Sequence, residues 1–163
     1  MPVDERAQPH PGPTGACAGC GAADRAGLIM AAPRPLPRLD PDNRFFWTSG
    51  EDGVLRLLRC AACDAFVHPP RPLCPHCLSE DVAPAAMPGT GVIYSYTVNH
   101  QKWHPGLDVP YVIARVAIDG AADVYLTTNI VGCDPQTVDI GDKVRVVFEQ
   151  QDDVWFPLFE KVA

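Results

Sequence analysis

No stretch of this chain is apolar for the length that a membrane-spanning helix needs, which leaves no helical anchor within it. Positive charge is scarce: 13 Lys and Arg stand against 20 Asp and Glu, a net charge of −7. That balance argues against a long nucleic-acid partner, because phosphate binding needs concentrated cations. Histidine is also sparse, at five residues, and none stands in a recognisable nucleophile–base arrangement. A self-sufficient hydrolase or acyl transferase is therefore not expected. Met1 to Met30 has no apolar core following its charged start, so the reading is a cytoplasmic protein whose thiols stay reduced.

Cysteine is present in an ordered pattern. Cys60/Cys63 and Cys74/Cys77 form two Cys-x-x-Cys pairs separated by ten residues, which allows two tight turns to face each other around one metal. Pro75 restricts the second turn. Four thiolates suit a closed tetrahedral site without an open position for water, so a structural Zn2+ in a zinc ribbon is expected. Two disulfides are the bland competitor, disfavoured by a reducing compartment. Iron in a rubredoxin-like carrier is another, although Asp64 and Leu78 follow the pairs where that family usually has glycine. A third pair, Cys17 and Cys20, looks like half of a metal knuckle with only the loose His10 nearby; a second metal site, a solvent-facing pair and a site completed by a partner all stay open for it. Cys133, between Gly132 and Asp134, reads as an inert turn or core thiol.

The 163 residues hold one ordinary domain and a small module. Most of the prolines and many of the glycines fall in the first 90 positions, whereas the remainder shows apolar alternation. Four parts follow: a Pro/Gly/Ala-rich arm over 1–37, a short aromatic helix within 38–53, the ribbon over 54–84 and a β domain over 85–163. Asp40–Gly50 has a capping residue, an early proline and Gly50 as a stop, which predicts a helix carrying Phe45, Phe46 and Trp47. Three adjacent aromatics cannot all point one way, so core packing and a partner surface both stay open for them.

The ribbon hairpin is expected from Val54–Cys60 and Ala65–His68. Five strands are expected after it: Gly91–Val98, Tyr111–Ile118, Val124–Ile130, Lys143–Phe148 and Trp155–Glu160. Alternation marks Val92-Tyr94-Tyr96-Val98, Val112-Ala114-Val116-Ile118 and Val144-Val146-Phe148 as apolar faces. Asp119-Gly120 and Gly141-Asp142 mark turns. Five short strands with one long loop, Asn99–Pro110, fit a Greek-key barrel of the OB type. The fold class is thus mainly β: a short helix, a rubredoxin-like ribbon, then a five-stranded OB barrel.

The order of the parts is more specific than any one of them. An aromatic helix, Leu57-Leu58-Arg59-Cys60-Ala61-Ala62-Cys63, Pro72-Leu73-Cys74-Pro75-His76-Cys77, Gly91-Val92-Ile93-Tyr94-Ser95-Tyr96, Pro110-Tyr111-Val112-Ile113-Ala114-Arg115 and Ile140-Gly141-Asp142-Lys143-Val144 follow in sequence. Over roughly Asp40 to Lys161 the chain resembles the acyl-CoA-associated OB-fold family with a zinc ribbon, domain of unknown function 35. The resemblance implies a noncatalytic accessory subunit whose partner is a thiolase-like enzyme: a thiolase, an archaeal hydroxymethylglutaryl-CoA synthase assembly, or an aldolase cleaving steroid side-chain CoA thioesters. The partner would carry the catalytic groups and share the acyl-CoA thioester. Cys60, Cys63, Cys74 and Cys77 match the family's metal ligands one for one, and no catalytic residue carries over.

Beside that reading, His68 and His76 flank the ribbon and read as structural. His100, Lys102, Trp103 and His104 gather in the long loop and form the best candidate for touching a ligand or partner, with basic groups for CoA phosphates and Trp103 for adenine. The alternative is a nucleic-acid-binding ribbon and OB module. It meets poor electrostatics, since residues 85–163 have five bases against ten acids, a net of −5.

Overall fold

Leu57 and Leu58 are adjacent and both buried, yet they serve two different cores. They lie on strand β1, Arg56–Cys60, where successive side chains leave opposite faces. Leu57 joins the main core, and Leu58 packs with Cys60, Val67 and Cys74 in the ribbon. One strand therefore fastens the ribbon to the rest of the molecule. The computed structural model describes residues 34–162; Cys17, Cys20 and nearly all of the expected arm lie outside the described residues.

The helix is shorter than the sequence suggests. Helix α1 spans Arg44–Thr48 and continues as a 3₁₀ turn over Ser49–Asp52, and the stop is Gly53 at φ 74°, not Gly50. Gly50 has another task, since a Cβ there would come within 2.5 Å of the Phe148 ring and of the Trp155 Cβ. The missing side chain lets this turn press against the barrel. Of the three aromatics, Phe46 enters the main core and Phe45 and Trp47 pack half-buried at its edge.

The ribbon is a three-stranded sheet, not a two-stranded hairpin. Strand β1 pairs antiparallel with β2, Phe66–Val67, on one side and with β3, Val82–Ala86, on the other. Strand β3 was not foreseen because its Val-Ala-Pro-Ala-Ala text has no alternation, and Pro84 is tolerated because β3 is an edge. A backbone bond from Met87 N–H to the Leu55 carbonyl, 2.8 Å, carries the chain from ribbon to barrel.

All five expected barrel strands are present: β4 Thr90–Asn99, β5 Tyr111–Ile118, β6 Tyr125–Val131, β7 Lys143–Gln151 and β8 Val154–Lys161. They close in the order β4-β5-β6-β8-β7, with β7 returning to β4 and β8 running parallel to β6. Val112, Ala114, Val116 and Ile118 face the core as their alternation predicts. In β4 the expected apolar face is wrong. A bulge between Ile93 and Ser95 shifts the register, Gly91 and Ile93 turn inward, and Tyr94 and Tyr96 are exposed. Among the described residues no helix is long and apolar enough to cross a membrane.

Candidate metal centre and the cleft beside it

The two cysteine turns are near copies of one another. The Cys60 carbonyl accepts from Asp64 N–H and the Cys74 carbonyl from Leu78 N–H, each at 2.9 Å. Cys60 N–H donates to the Ala65 carbonyl and Cys74 N–H to the Ser79 carbonyl, again at 2.9 Å. Each turn presents one buried sulfur, Cys60 and Cys74, and one exposed residue, Cys63 and Cys77. The four Sγ atoms all lie within 4.8 Å of one another, with Cys60–Cys77 at 3.5 Å and Cys63–Cys74 at 3.6 Å. Sulfurs about 2.3 Å from a tetrahedral zinc stand about 3.8 Å apart, whereas a disulfide requires about 2.05 Å. The arrangement fits a closed Zn2+ site and not two disulfides.

Thiol chemistry points the same way. Burial pushes the Cys74 thiol up, but the N–H groups of Cys77 and His76 and the neighbouring sulfurs pull it further down, to about 6. At Cys63 the Ala65 N–H draws the thiol down, while the adjoining sulfurs and desolvation outweigh it and push it up to about 12. Four sulfurs this close cannot all ionise unaided, and a divalent cation between them relieves the repulsion. Neither nearby histidine belongs to the cluster. His76 is exposed, and His68 packs at 5.0 Å against the Phe46 ring.

In the loop between β4 and β5, three of the four expected residues bond to nearby groups of the same segment. Lys102 pairs with Asp108 at 3.2 Å, the Trp103 indole N–H donates to Asn99 Oδ1 at 3.2 Å, and His104 Nδ1 accepts from Gly106 N–H at 3.1 Å. His100 is exposed, and Trp103 is 75% exposed, an unusual position for so large a ring.

A cleft that the sequence did not reveal lies between the ribbon, α1 and the barrel. Its volume is about 700 Å³, and its lining includes Arg34, Trp47, His68, Arg115, Tyr125 and Phe156. Arg34 crosses it, donating to Glu149 at 2.8 Å and to Asn129 at 3.0 Å, with its guanidinium 5.8 Å from the Phe156 ring centre. Arg34 N–H and carbonyl also bond the Gln151 side chain, at 2.7 and 2.9 Å. Desolvation lowers the His68 imidazole to about 4, so it is neutral at physiological pH. No local motif announces these residues, because they come from separate segments that only the fold brings together.

Residues 47–83 match the family model described as the ChsH2 rubredoxin-like zinc ribbon domain, and residues 85–149 match the ChsH2 C-terminal OB-fold domain. A probable enoyl-CoA hydratase alpha subunit from Thermomonospora curvata is 39% identical over 77% of this chain, but the chain spans only 39% of that protein. A DUF35 domain-containing scaffold protein from Methanothermobacter thermautotrophicus is 35% identical, over 56% of this chain and 69% of the relative. Among solved structures, one described as the Ltp2-ChsH2(DUF35) aldolase superposes with a TM-score of 0.72 at 36% identity, covering 78% of this chain and 100% of that one. A DUF35-family protein of unknown function from Sulfolobus solfataricus gives 0.54 at 18% identity, a likeness of fold alone. With its four-sulfur ribbon followed by a closed OB barrel, the chain belongs to the DUF35 family.

Proposed function

We propose that this chain is a noncatalytic accessory subunit of a thiolase-like enzyme, a thiolase or retro-aldolase, that makes or breaks carbon–carbon bonds in acyl-CoA thioesters. One observation carries the reading: the chain covers the whole of the matched chain in the structure described as the Ltp2-ChsH2(DUF35) aldolase, at 36% identity. Relatives named as hydratase alpha subunits are matched over only 39% and 35% of their lengths, so their hydratase chemistry is not carried over. In this reading the metal holds the ribbon and takes no part in chemistry. Steroid side-chain or fatty-acid degradation is the metabolic setting we favour, and the cytoplasm is the compartment.

The partner would be met by the Trp103 loop and by the half-buried Phe45 and Trp47 of α1, whereas Phe46 stays in the core. Exposed tryptophan is a common anchor of interfaces. The thioester would be shared between this subunit and its partner. Recovery of a tagged copy from its host, with a high-salt wash and mass identification of what remains, tests the proposal. A stoichiometric thiolase-like enzyme supports it, and Trp103→Ala should weaken that retention. Recovery alone, or with nucleic acid that leaves as salt rises, overturns it.

A further inference from the structure

The barrel closes unevenly between β6 and β8. These parallel strands pair at Ile130 with Phe159 and at Val131 with Glu160, while over Tyr125–Asn129 β6 pairs with β5 alone. Pro157 has no N–H to give to a ladder, and it is the Thr128 hydroxyl, not the backbone, that reaches the Pro157 carbonyl, at 2.6 Å. The cleft opens where the two strands part. A strand edge therefore lines it together with an apolar wall, on which the half-buried Trp47 and Phe156 meet edge to face at 5.9 Å. An open edge beside apolar surface is a template for an extended segment.

The described residues begin inside this cleft. One side chain, Gln151, holds both the N–H and the carbonyl of Arg34, much as a neighbouring strand would. The guanidinium is fixed as well, by Glu149 and Asn129. Arg34 is thus seated at both its backbone and its side chain, and the chain before it starts from within the cleft. Pro33 and Pro35 disfavour a helix at the residue preceding each, which suits an extended entry.

Immediately upstream stands Leu28-Ile29-Met30-Ala31-Ala32, the longest apolar run in the sequence before Arg34 and one without charge. Leaving such a run in water is unfavourable. Leu28 is six residues from Arg34, a reach of about 20 Å when extended, whereas the four steps from Asn129 to Tyr125 cover about 13 Å. The run is long enough to follow β6 through the cleft, and the apolar wall matches its chemistry. We propose that Leu28–Ala32 of the same chain occupies the cleft, extended beside Tyr125–Asn129 with its side chains on the Trp47–Phe156 wall. The free subunit then fills its own cleft, and anything else that enters has to displace this run.

Hydrogen exchange and photocrosslinking on the full chain test this. Measured against their intrinsic rates, the amides of Leu28–Ala32 should exchange about tenfold or more slowly than those of Val3–Gln8. Ile29→Asp combined with Met30→Asp should abolish that difference while β5 keeps its protection, since both substitutions lie outside the ribbon and the barrel. Benzoylphenylalanine in place of Ile29 should crosslink, within one chain, to Tyr125–Asn129 or to Phe156–Leu158. Exchange of Leu28–Ala32 at the rate of an unstructured chain overturns the inference and leaves the cleft to a partner's segment. Crosslinks that fall elsewhere overturn it too, as does a product of twice the chain mass, which makes a second copy the occupant. The isolated chain suffices for each measurement, so the outcome does not depend on which enzyme is the partner.

Discussion

Asp64 and Leu78 occupy the same place in the two halves of the metal centre, each the residue after a cysteine pair and each in the left-handed region, at φ 60° and 61°. Aspartate tolerates that conformation because its short polar side chain bonds locally, whereas leucine has no such compensation. Leu78 is also 74% exposed, so packing returns little. Leu78→Gly should therefore raise stability by about 0.5–1 kcal/mol, relief of the strain being partly offset by the greater freedom of glycine in the unfolded chain. Denaturant unfolding of the zinc-loaded protein checks it, and a loss of stability would mean that the Leu78 side chain has a stabilising contact after all.

The ribbon core consists of Leu58, Cys60, Val67 and Cys74, half of it metal ligands. So small a core cannot hold the sheet when its ligands repel one another, and the metal is expected to supply the difference. Cys74→Ser should abolish stoichiometric zinc and convert a single melting transition into two, with the barrel melting last. A chelator should reproduce the effect in the unaltered protein. Elemental analysis together with calorimetry provides the measurement; unchanged metal content and melting would rule out the site.

His68 gives a prediction about pH. Its imidazole falls from the ordinary 6.5 to about 4 through burial, so the unfolded chain binds a proton that the folded chain resists. The associated stability is present above about pH 6.5 and is lost as pH falls toward 4. Between pH 7 and 5 the loss is at most about 2 kcal/mol, since part of the ring meets solvent. His68→Phe should flatten that part of the profile, whereas weakening of the metal site by acid persists in both proteins. Unfolding free energies measured at the two pH values separate the contributions.

What the sequence disclosed and what it hid follow physical lines. Cys60, Cys63, Cys74 and Cys77 were legible because ligand spacing is local, and the β5 face was legible because two-residue alternation is local. Strand β3 was not, because Val82–Ala86 becomes a strand only by pairing with β1. Nor was the inward turn of Ile93, which depends on a bulge against β5. The cleft was hidden most completely: Arg34, His68 and Arg115 have no common motif, and only closure of the barrel under α1 brings them to one cavity.

Gly50 belongs to the hidden class and gives the sharpest packing test. Read along the chain it is a helix stop; in the fold it is the point where the 3₁₀ turn meets β7 and β8, with Phe148 and Trp155 closing on the space a methyl group would need. The two nearest approaches would be 2.5 Å, to a ring carbon of Phe148 and to the Cβ of Trp155. The Phe148 ring can rotate, but a Cβ is fixed to its backbone, so the turn itself has to lift. Gly50→Ala should consequently cost about 1–3 kcal/mol, despite alanine being the better helix former. Lifting that turn also tilts α1 and shifts Trp47. Gly53→Ala is the control, because its φ of 74° penalises any side chain while no atom lies within 4 Å of the added methyl. Its cost should be about 1 kcal/mol of backbone strain. If the two variants lose equal stability in denaturant unfolding, steric closure at Gly50 is not what sets the position of α1.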